Sequence, residues 1–176
     1  MSERPRPHAD PAKPAPSFAF GLLTVSDTRT RKDDVSGRVM REHVSAAGHR
    51  VHAEAIVPDE PDAVRDHVLA WALDPACDAV VASGGTGLSA RDQTVEAVSG
   101  LFDVSIDGFG EMFRWLSFAE IGSRAMLSRA AAGVVRGTPV FLLPGSPAAV
   151  TLALSRLVLP EIAHVLGELR RHGARP

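Results

Sequence analysis

The feature that most restricts the fold is the apolar run FAFGLLTVS at 18–26. It does not alternate polar and apolar residues, so both of its faces need cover, as in a central strand of a parallel sheet. CDAVVAS (77–83) repeats the pattern, and AGVVRGTPVFLLP (132–144) reads as two strands joined near Arg136-Gly137-Thr138. VHAEAIV (51–57) alternates as a further strand. Helical spacing fills the intervals. Val39, Met40, His43, Val44 and Ala47 recur on one face, with Ser36 as the expected N-cap and Gly48 just past the end. Val64, Val68, Trp71 and Ala72 mark a second helix, with Asp59 as its expected cap. Asp92 or Thr94 is expected to cap a short helix ending near Val98. FGEMFRWL (109–116) puts Phe109, Met112, Phe113 and Leu116 on one face, suited to a core or a subunit contact. Residues 146–169 read as a long helix that Pro160 should end or kink. Strands alternating with helices imply an α/β fold around a largely parallel sheet.

Composition narrows the function classes. With 176 residues, 45% of them hydrophobic, the chain suits one domain with a sizeable core. A net charge of −2 implies no basic face, so no nucleic-acid partner is expected. Cys77 is the single cysteine, which rules out an intrachain disulfide and suits a reducing compartment; burial is its expected fate. No apolar run approaches the roughly 18 residues of a membrane span, and the N-terminus carries no secretory pattern. A soluble cytoplasmic protein without membrane contact is the expectation. Residues 1–16 hold five of the thirteen prolines and read as a disordered tail, leaving 17–172 as the domain. The seven histidines are dispersed, with no HExxH, and are expected at the surface.

In open α/β sheets, ligands bind beyond the carboxyl ends of the strands. The strand ends here are Ser26-Asp27-Thr28, Pro58-Asp59-Glu60, Ser83-Gly84-Gly85-Thr86-Gly87 with Arg91-Asp92 beyond, and Pro144-Gly145-Ser146. Glycines let backbone N–H groups approach a phosphate closely, and Thr86 and Ser146 add hydroxyls. Asp59 and Asp92 would repel a bare phosphate, but suit one that shares Mg²⁺ with them. Together these residues suggest a phosphorylated ligand, a metal, and phosphoryl or nucleotidyl transfer. Each feature also has a plainer reading: GGTG and LPGS as structural turns, either aspartate as a helix cap, Ser26-Asp27 as a strand terminus. The coincidence at strand ends favours the site. There is neither a P-loop nor a GxGxxG fingerprint.

LTVSDTRT (23–30), DVSG (34–37), AGH (47–49), IVPDEP (56–61), SGGTG (83–87), RDQTVEA (91–97), DGFGEMFRWLSFAEIG (107–122), LSRAAAGVVRG (127–137) and LPGS (143–146) follow one another in an order that resembles the molybdenum cofactor biosynthesis protein B family. That family is sister to the molybdopterin adenylyltransferases, and SFAEIG with LSRAAAG is more like the B-type branch. The resemblance covers about residues 18–168. It implies a three-layer α/β/α sandwich with a mostly parallel central sheet and a homo-oligomer, trimer or hexamer. It also implies binding of molybdopterin, a pterin dithiolene with a terminal phosphate, alongside other enzymes of the cofactor pathway. In the adenylyltransferase reaction that phosphate attacks the α-phosphorus of Mg-ATP, giving adenylylated molybdopterin and pyrophosphate.

By the same resemblance, Asp59 and Asp92 match the family's catalytic, metal-associated aspartates. Ser83, Gly84, Gly85, Thr86, Gly87 and Arg91 match its phosphate loop, and Pro144, Gly145 and Ser146 its second ligand loop. Ser26, Asp27, Asp34, Ser36 and Gly37 match an N-terminal pocket motif. Glu111, Arg114, Ser128 and Arg129 match two further motifs in which ligand contact and structural duty stay open; Arg129 is expected to pair with a phosphate or with Glu111. Retained Asp59 and Asp92 favour an active enzyme over a non-catalytic pterin or nucleotide carrier. A glycine loop serving only assembly is the weakest alternative.

Overall fold

The central strands bury side chains on both faces, which requires a helical layer on each side. The computed structural model describes residues 16–171; the proline-rich stretch lies outside them apart from Pro16, as does residue 172. Six strands, β1 (Ala19–Val25), β2 (Arg50–Val57), β3 (Ala79–Ser83), β4 (Val104–Ser105), β5 (Ala131–Val135) and β6 (Thr138–Leu143), form one sheet in the order β2-β1-β3-β6-β5-β4. The first four in that order pair in parallel; β5 pairs antiparallel with both β6 and β4. The helices are α1 (Val35–Ala46), α2 (Pro61–Leu73), α3 (Thr94–Ser99), α4 (Asp107–Ile121), α5 (Pro147–Ala153) and α6 (Leu159–Arg171). A 3₁₀ segment, Gly122–Leu127, follows α4, and a π segment, Leu154–Val158, joins α5 to α6.

Alternation along the strands divides the core. Phe20, Leu22, Val81, Phe141 and Leu143 pack toward α1, α4, α5 and α6, where Met40, Phe113, Val150 and Ile162 meet them. Leu23, Val25, Val80, Ala82 and Leu142 face the other way, onto Val64, Val68 and Ala72 of α2 and Val98 of α3. The result is the expected three-layer sandwich. Cys77 is buried, as expected, and burial pushes its thiol pKa up.

Several local expectations are corrected. Asp34, not Ser36, caps α1: its Oδ1 accepts the Gly37 N–H at 2.8 Å. Gly48 does follow the helix with φ +80°, the left-handed turn that glycine permits. Asp59 does not cap α2, because Pro61 starts that helix one residue beyond Glu60. Neither Asp92 nor Thr94 caps α3; Gln93 holds the cap position and Thr94 is the first helical residue. Met112 is 53% exposed rather than facing the core with Phe109 and Phe113. His49 is half-buried rather than fully solvated: it packs on the Phe18 and Phe20 rings, and burial lowers its pKa.

Pro160 neither ends nor breaks the last helix. The π segment sits immediately before it, with the Leu159 N–H reaching the Leu154 carbonyl. The wider turn accommodates the missing donor and the bulk of the ring. The helix Pro147–Arg171 spans 25 residues and is long and apolar enough to cross a membrane by length and composition, contrary to the expectation from its sequence. Its apolar stripe is spent on the sheet, through Val150, Leu154, Val158, Ile162 and Leu166.

Gly21 shows how tightly the layers close. A Cβ there would lie 2.5 Å from Cε3 of Trp71, so the indole rests directly on the β1 backbone. Gly21→Ala is expected to displace Trp71 and cost about 1–3 kcal/mol of stability. Urea denaturation tests this, and an unchanged midpoint would show that α2 shifts freely.

Candidate functional site

The sheet order puts β1 between β2 and β3, so chain segments leave the carboxyl ends of β1 and β3 over opposite faces. Such a reversal opens a crevice at the strand ends. The exits of β1, β3 and β6 border it, and the exit of β2 reaches in from beyond β1.

The walls are fixed by backbone proximity. Gly84 has φ +114°, and a Cβ on it would lie 2.1 Å from the Val25 carbonyl oxygen. Its N–H donates to the Leu143 carbonyl at 3.1 Å. Ser83 Oγ donates to the Pro144 carbonyl (3.2 Å) and Ser36 Oγ to the Gly145 carbonyl (2.7 Å), so the loops after β3 and β6 are tied together from beneath. Ser146 caps α5 by accepting the Ala149 N–H at 3.2 Å. Gly85 has φ +62°; a Cβ there would collide with Thr94 Oγ1 and Asp59 Oδ1. Among the described residues, the N–H groups of Gly85, Thr86 and Gly87 donate to no protein acceptor. They are the donors an anion needs.

A cavity of about 430 Å³ opens beside these groups, bordered by Gly84 to Gly87, Asp92, Ser128 and Pro144 to Ser146. Its far wall comes from α4 and the 3₁₀ segment: Phe113, Ser117, Glu120, Ile121, Arg124 and Leu127. Sequence reasoning missed that wall apart from its place in a motif. Arg124 is notable because, among the described residues, no carboxylate pairs with it.

The acidic residues gather at one rim. Asp59 stands over Gly85 and Asp92 over Gly87, where a Cβ would come within 2.8 Å of Asp92 Oδ2. Asp27 Oδ1 accepts the Asp59 N–H at 3.0 Å, and its Oδ2 pairs with Arg91 at 2.9 Å. Arg91 also reaches Glu60 at 3.1 Å, and Asp27, first, with Glu60 holds its guanidinium pKa up. Burial, then the Asp92 and Asp27 charges, raise the Asp59 carboxyl above the ordinary 3.8. The Thr94 hydroxyl, fully buried beside Asp59, has no hydrogen-bond partner among the described residues. No three His, Cys, Asp or Glu side chains among the described residues form a metal cage. Two carboxylates flanking a loop of unbonded N–H groups are still a donor set that Mg²⁺ could use, since that ion takes one or two carboxylates and completes its sphere with other oxygens and water.

The remaining expected residues separate. Ser26 Oγ accepts the Thr28 and Arg29 N–H groups and shapes the turn after β1. Asp34 Oδ2 accepts the Thr24 hydroxyl at 2.7 Å, and a Cβ on Gly37 would strike the same carboxylate. Glu111 and Arg114 line a different hollow, beside Ser105 and Ala131, and Arg114 donates to the Ser128 carbonyl at 3.4 Å. Ser128 borders the cavity; Arg129 does not, and pairs with Glu96 rather than Glu111.

A raised carboxyl pKa means that the folded state holds that proton more tightly than the unfolded chain. Stability then falls as pH rises from about 3.8 through the raised value and stays lower above it. Asp59→Asn is therefore expected to raise Tm at pH 7, with the gain vanishing below about pH 3.8. Calorimetry across that range tests it; a lower Tm at pH 7 would contradict the assignment.

Residues 21–164 match the family model described as "Probable molybdopterin binding domain". The molybdenum cofactor biosynthesis protein B of Bacillus subtilis (strain 168) is 50% identical over 151 residues, covering 85% of this chain and 89% of that protein. A crystal structure of a molybdenum cofactor biosynthesis protein B superposes with a TM-score of 0.89 at 44% identity, covering 91% of this chain and 100% of the other. The tungsten cofactor synthesizing protein MoaB from Pyrococcus furiosus gives a TM-score of 0.77 at 36% identity, covering 90% and 99%. With the strand-end crevice, these likenesses establish that the chain belongs to the molybdopterin-binding family, as a homologue of molybdenum cofactor biosynthesis protein B.

Proposed function

We propose that this chain acts in molybdenum cofactor biosynthesis by binding molybdopterin at the strand-end crevice and adenylylating its terminal phosphate with ATP. The observation that carries the reading is the pairing of three backbone N–H donors on Gly85, Thr86 and Gly87 with carboxylates at both ends of the same loop. Neutral donors alone would serve any anion. Added carboxylates make sense where a cation and several phosphates share the space.

In this reading an oxygen of the molybdopterin phosphate attacks the α-phosphorus of ATP. The new P–O bond forms as the bond to the β-phosphate oxygen breaks, and pyrophosphate leaves with that electron pair. The nucleophile is already anionic, so the protein supplies no strong base; alignment and charge stabilisation do the work. Gly85, Thr86 and Gly87 donate to phosphate oxygens. Phe113, Ile121 and Leu127 give one side of the cavity an apolar lining, and Arg124 offers a cation for an anionic end of the ligand. Mg²⁺ held by Asp59 and Asp92 would screen the phosphate charges when bound. Those charges meet mainly in the transition state, so Asp59→Asn and Asp92→Asn should lower turnover more than affinity.

The assay combines purified protein, molybdopterin, ATP and Mg²⁺, with Asp92→Asn in parallel. Adenylylated molybdopterin that disappears in the variant supports the enzyme. Tight molybdopterin binding without product means a carrier instead.

We propose in addition that the protein works as a homo-oligomer, trimer or hexamer, through the outer face of α4. Trp115 is 73% exposed and Phe118 62%, with Met112, Ile121 and Met126 exposed beside them. Contiguous apolar surface of this kind marks a protein contact. Trp115→Glu is expected to reduce the mass measured by sedimentation velocity to that of smaller species; an unchanged assembly would place the contact elsewhere.

A further inference from the structure

Ser128, whose backbone is extended, and Arg129 lead from the 3₁₀ segment into β5, and their side chains go to different places. Ser128 borders the cavity, whereas Arg129 passes behind the glycine loop. There its guanidinium makes three contacts. Nε donates to the Thr86 carbonyl at 3.1 Å, Nη2 to the Asp92 carbonyl, and Nη1 to the Glu96 carboxylate of α3. The side chain is 27% exposed. One planar group thus grips both ends of the 86–92 loop and the helix that follows, a task for which its fixed fork of donors is suited.

The grip has a directional consequence. In a trans peptide the C=O and the following N–H point opposite ways. A Thr86 carbonyl held toward Arg129 turns the Gly87 N–H away from it. Gly87 borders the cavity, and its N–H has no protein acceptor among the described residues. The hold on the Asp92 carbonyl likewise fixes the backbone from which the Asp92 carboxylate projects. Arg129 itself commits each of its three nitrogens to the protein and is absent from the cavity wall.

We propose that Arg129 is a positioning residue: it touches no ligand, and by holding the Thr86 and Asp92 carbonyls from behind it keeps the Gly87 N–H and the Asp92 carboxylate aimed at the bound phosphates. The ligand half of this inference rests on the function proposed above; the ordering of the loop does not. Lysine preserves the charge and can still pair with Glu96, but a single ammonium cannot span both carbonyls in the guanidinium geometry.

The test uses the full chain with Arg129→Lys and Glu96→Gln. Amide hydrogen exchange in ligand-free protein is expected to quicken about tenfold or more in Arg129→Lys at Ser89, Asp92 and Thr94, whose N–H groups bond within the loop, with core amides of β1 and β3 unchanged. Titration with inorganic pyrophosphate and Mg²⁺, followed by calorimetry, is expected to show about tenfold weaker binding in Arg129→Lys. Glu96→Gln, which leaves both carbonyl bonds, is expected to stay within about threefold of the original affinity. Added guanidinium should restore part of the affinity to Arg129→Ala. Unchanged loop exchange in Arg129→Lys overturns the proposal, as does full pyrophosphate affinity in that variant, which would mean that the charge alone matters. If the original protein binds no pyrophosphate or ATP, the proposed function falls and the phosphate-aiming role falls with it, while quickened loop exchange still upholds Arg129 as the clamp. Lost affinity together with faster exchange throughout the core overturns the positioning role in favour of general stability.

Discussion

The site depends on how closely the chain leaving β3 passes the last carbonyl of β1. No side chain fits at Gly84, where even a Cβ would stand 2.1 Å from the Val25 oxygen. That contact lets β3 turn sharply across the end of the sheet while its backbone stays paired with β6 through Leu143. Gly145 then packs against the Gly84 Cα, where a Cβ would lie at 3.3 Å. The loops after β3 and β6 are therefore a single backbone unit, and the N–H groups of the first, unbonded among the described residues, are presented by the packing of the second. Preorganised donors of this kind need little rearrangement when charge arrives.

Electrostatics at the rim run against stability. Asp27, Asp59, Glu60 and Asp92 would repel one another, and Arg91 is the cation that bridges two of them. Exposed ion pairs of this type contribute little individually, so the acidic rim is not explained by the fold's own needs. The buried Thr94 hydroxyl without a partner points the same way, since such groups are rare in the absence of a functional or strained setting.

Much of this was legible in the sequence because strand burial and strand ends leave local signals. The unalternated runs of β1 and β3 announced a two-sided sheet, and the aspartates and glycines at their ends marked the crevice. Cap positions were less legible. Asp34, Asp59 and Asp92 are interchangeable by composition. Pro61 displaces Asp59 from the cap by a local signal that the reading passed over, whereas Asp34 is singled out by the Thr24 hydroxyl from β1, a matter of tertiary placement. Arg129 followed the same rule, since its partner Glu96 lies far off in sequence. The two-residue β4 left no periodicity to read. The Phe113, Ile121 and Leu127 wall was hidden for another reason: apolar residues on a helix look alike whether they face a core, a ligand or a neighbouring subunit.

The π segment before Pro160 has a consequence for helical phase. Val150, Leu154, Val158, Ile162 and Leu166 all face the sheet at strict four-residue intervals. An α-helix of 3.6 residues per turn gains about 40° with each such step, so the stripe would wind steadily off its target. The wider turn at Leu154–Val158 resets that drift midway. The helix behaves like two registered halves joined by a one-residue gear tooth. Removing that residue would swing Ile162 and Leu166 through about 100°, away from the sheet, while the half that begins at Ser146 kept its alignment.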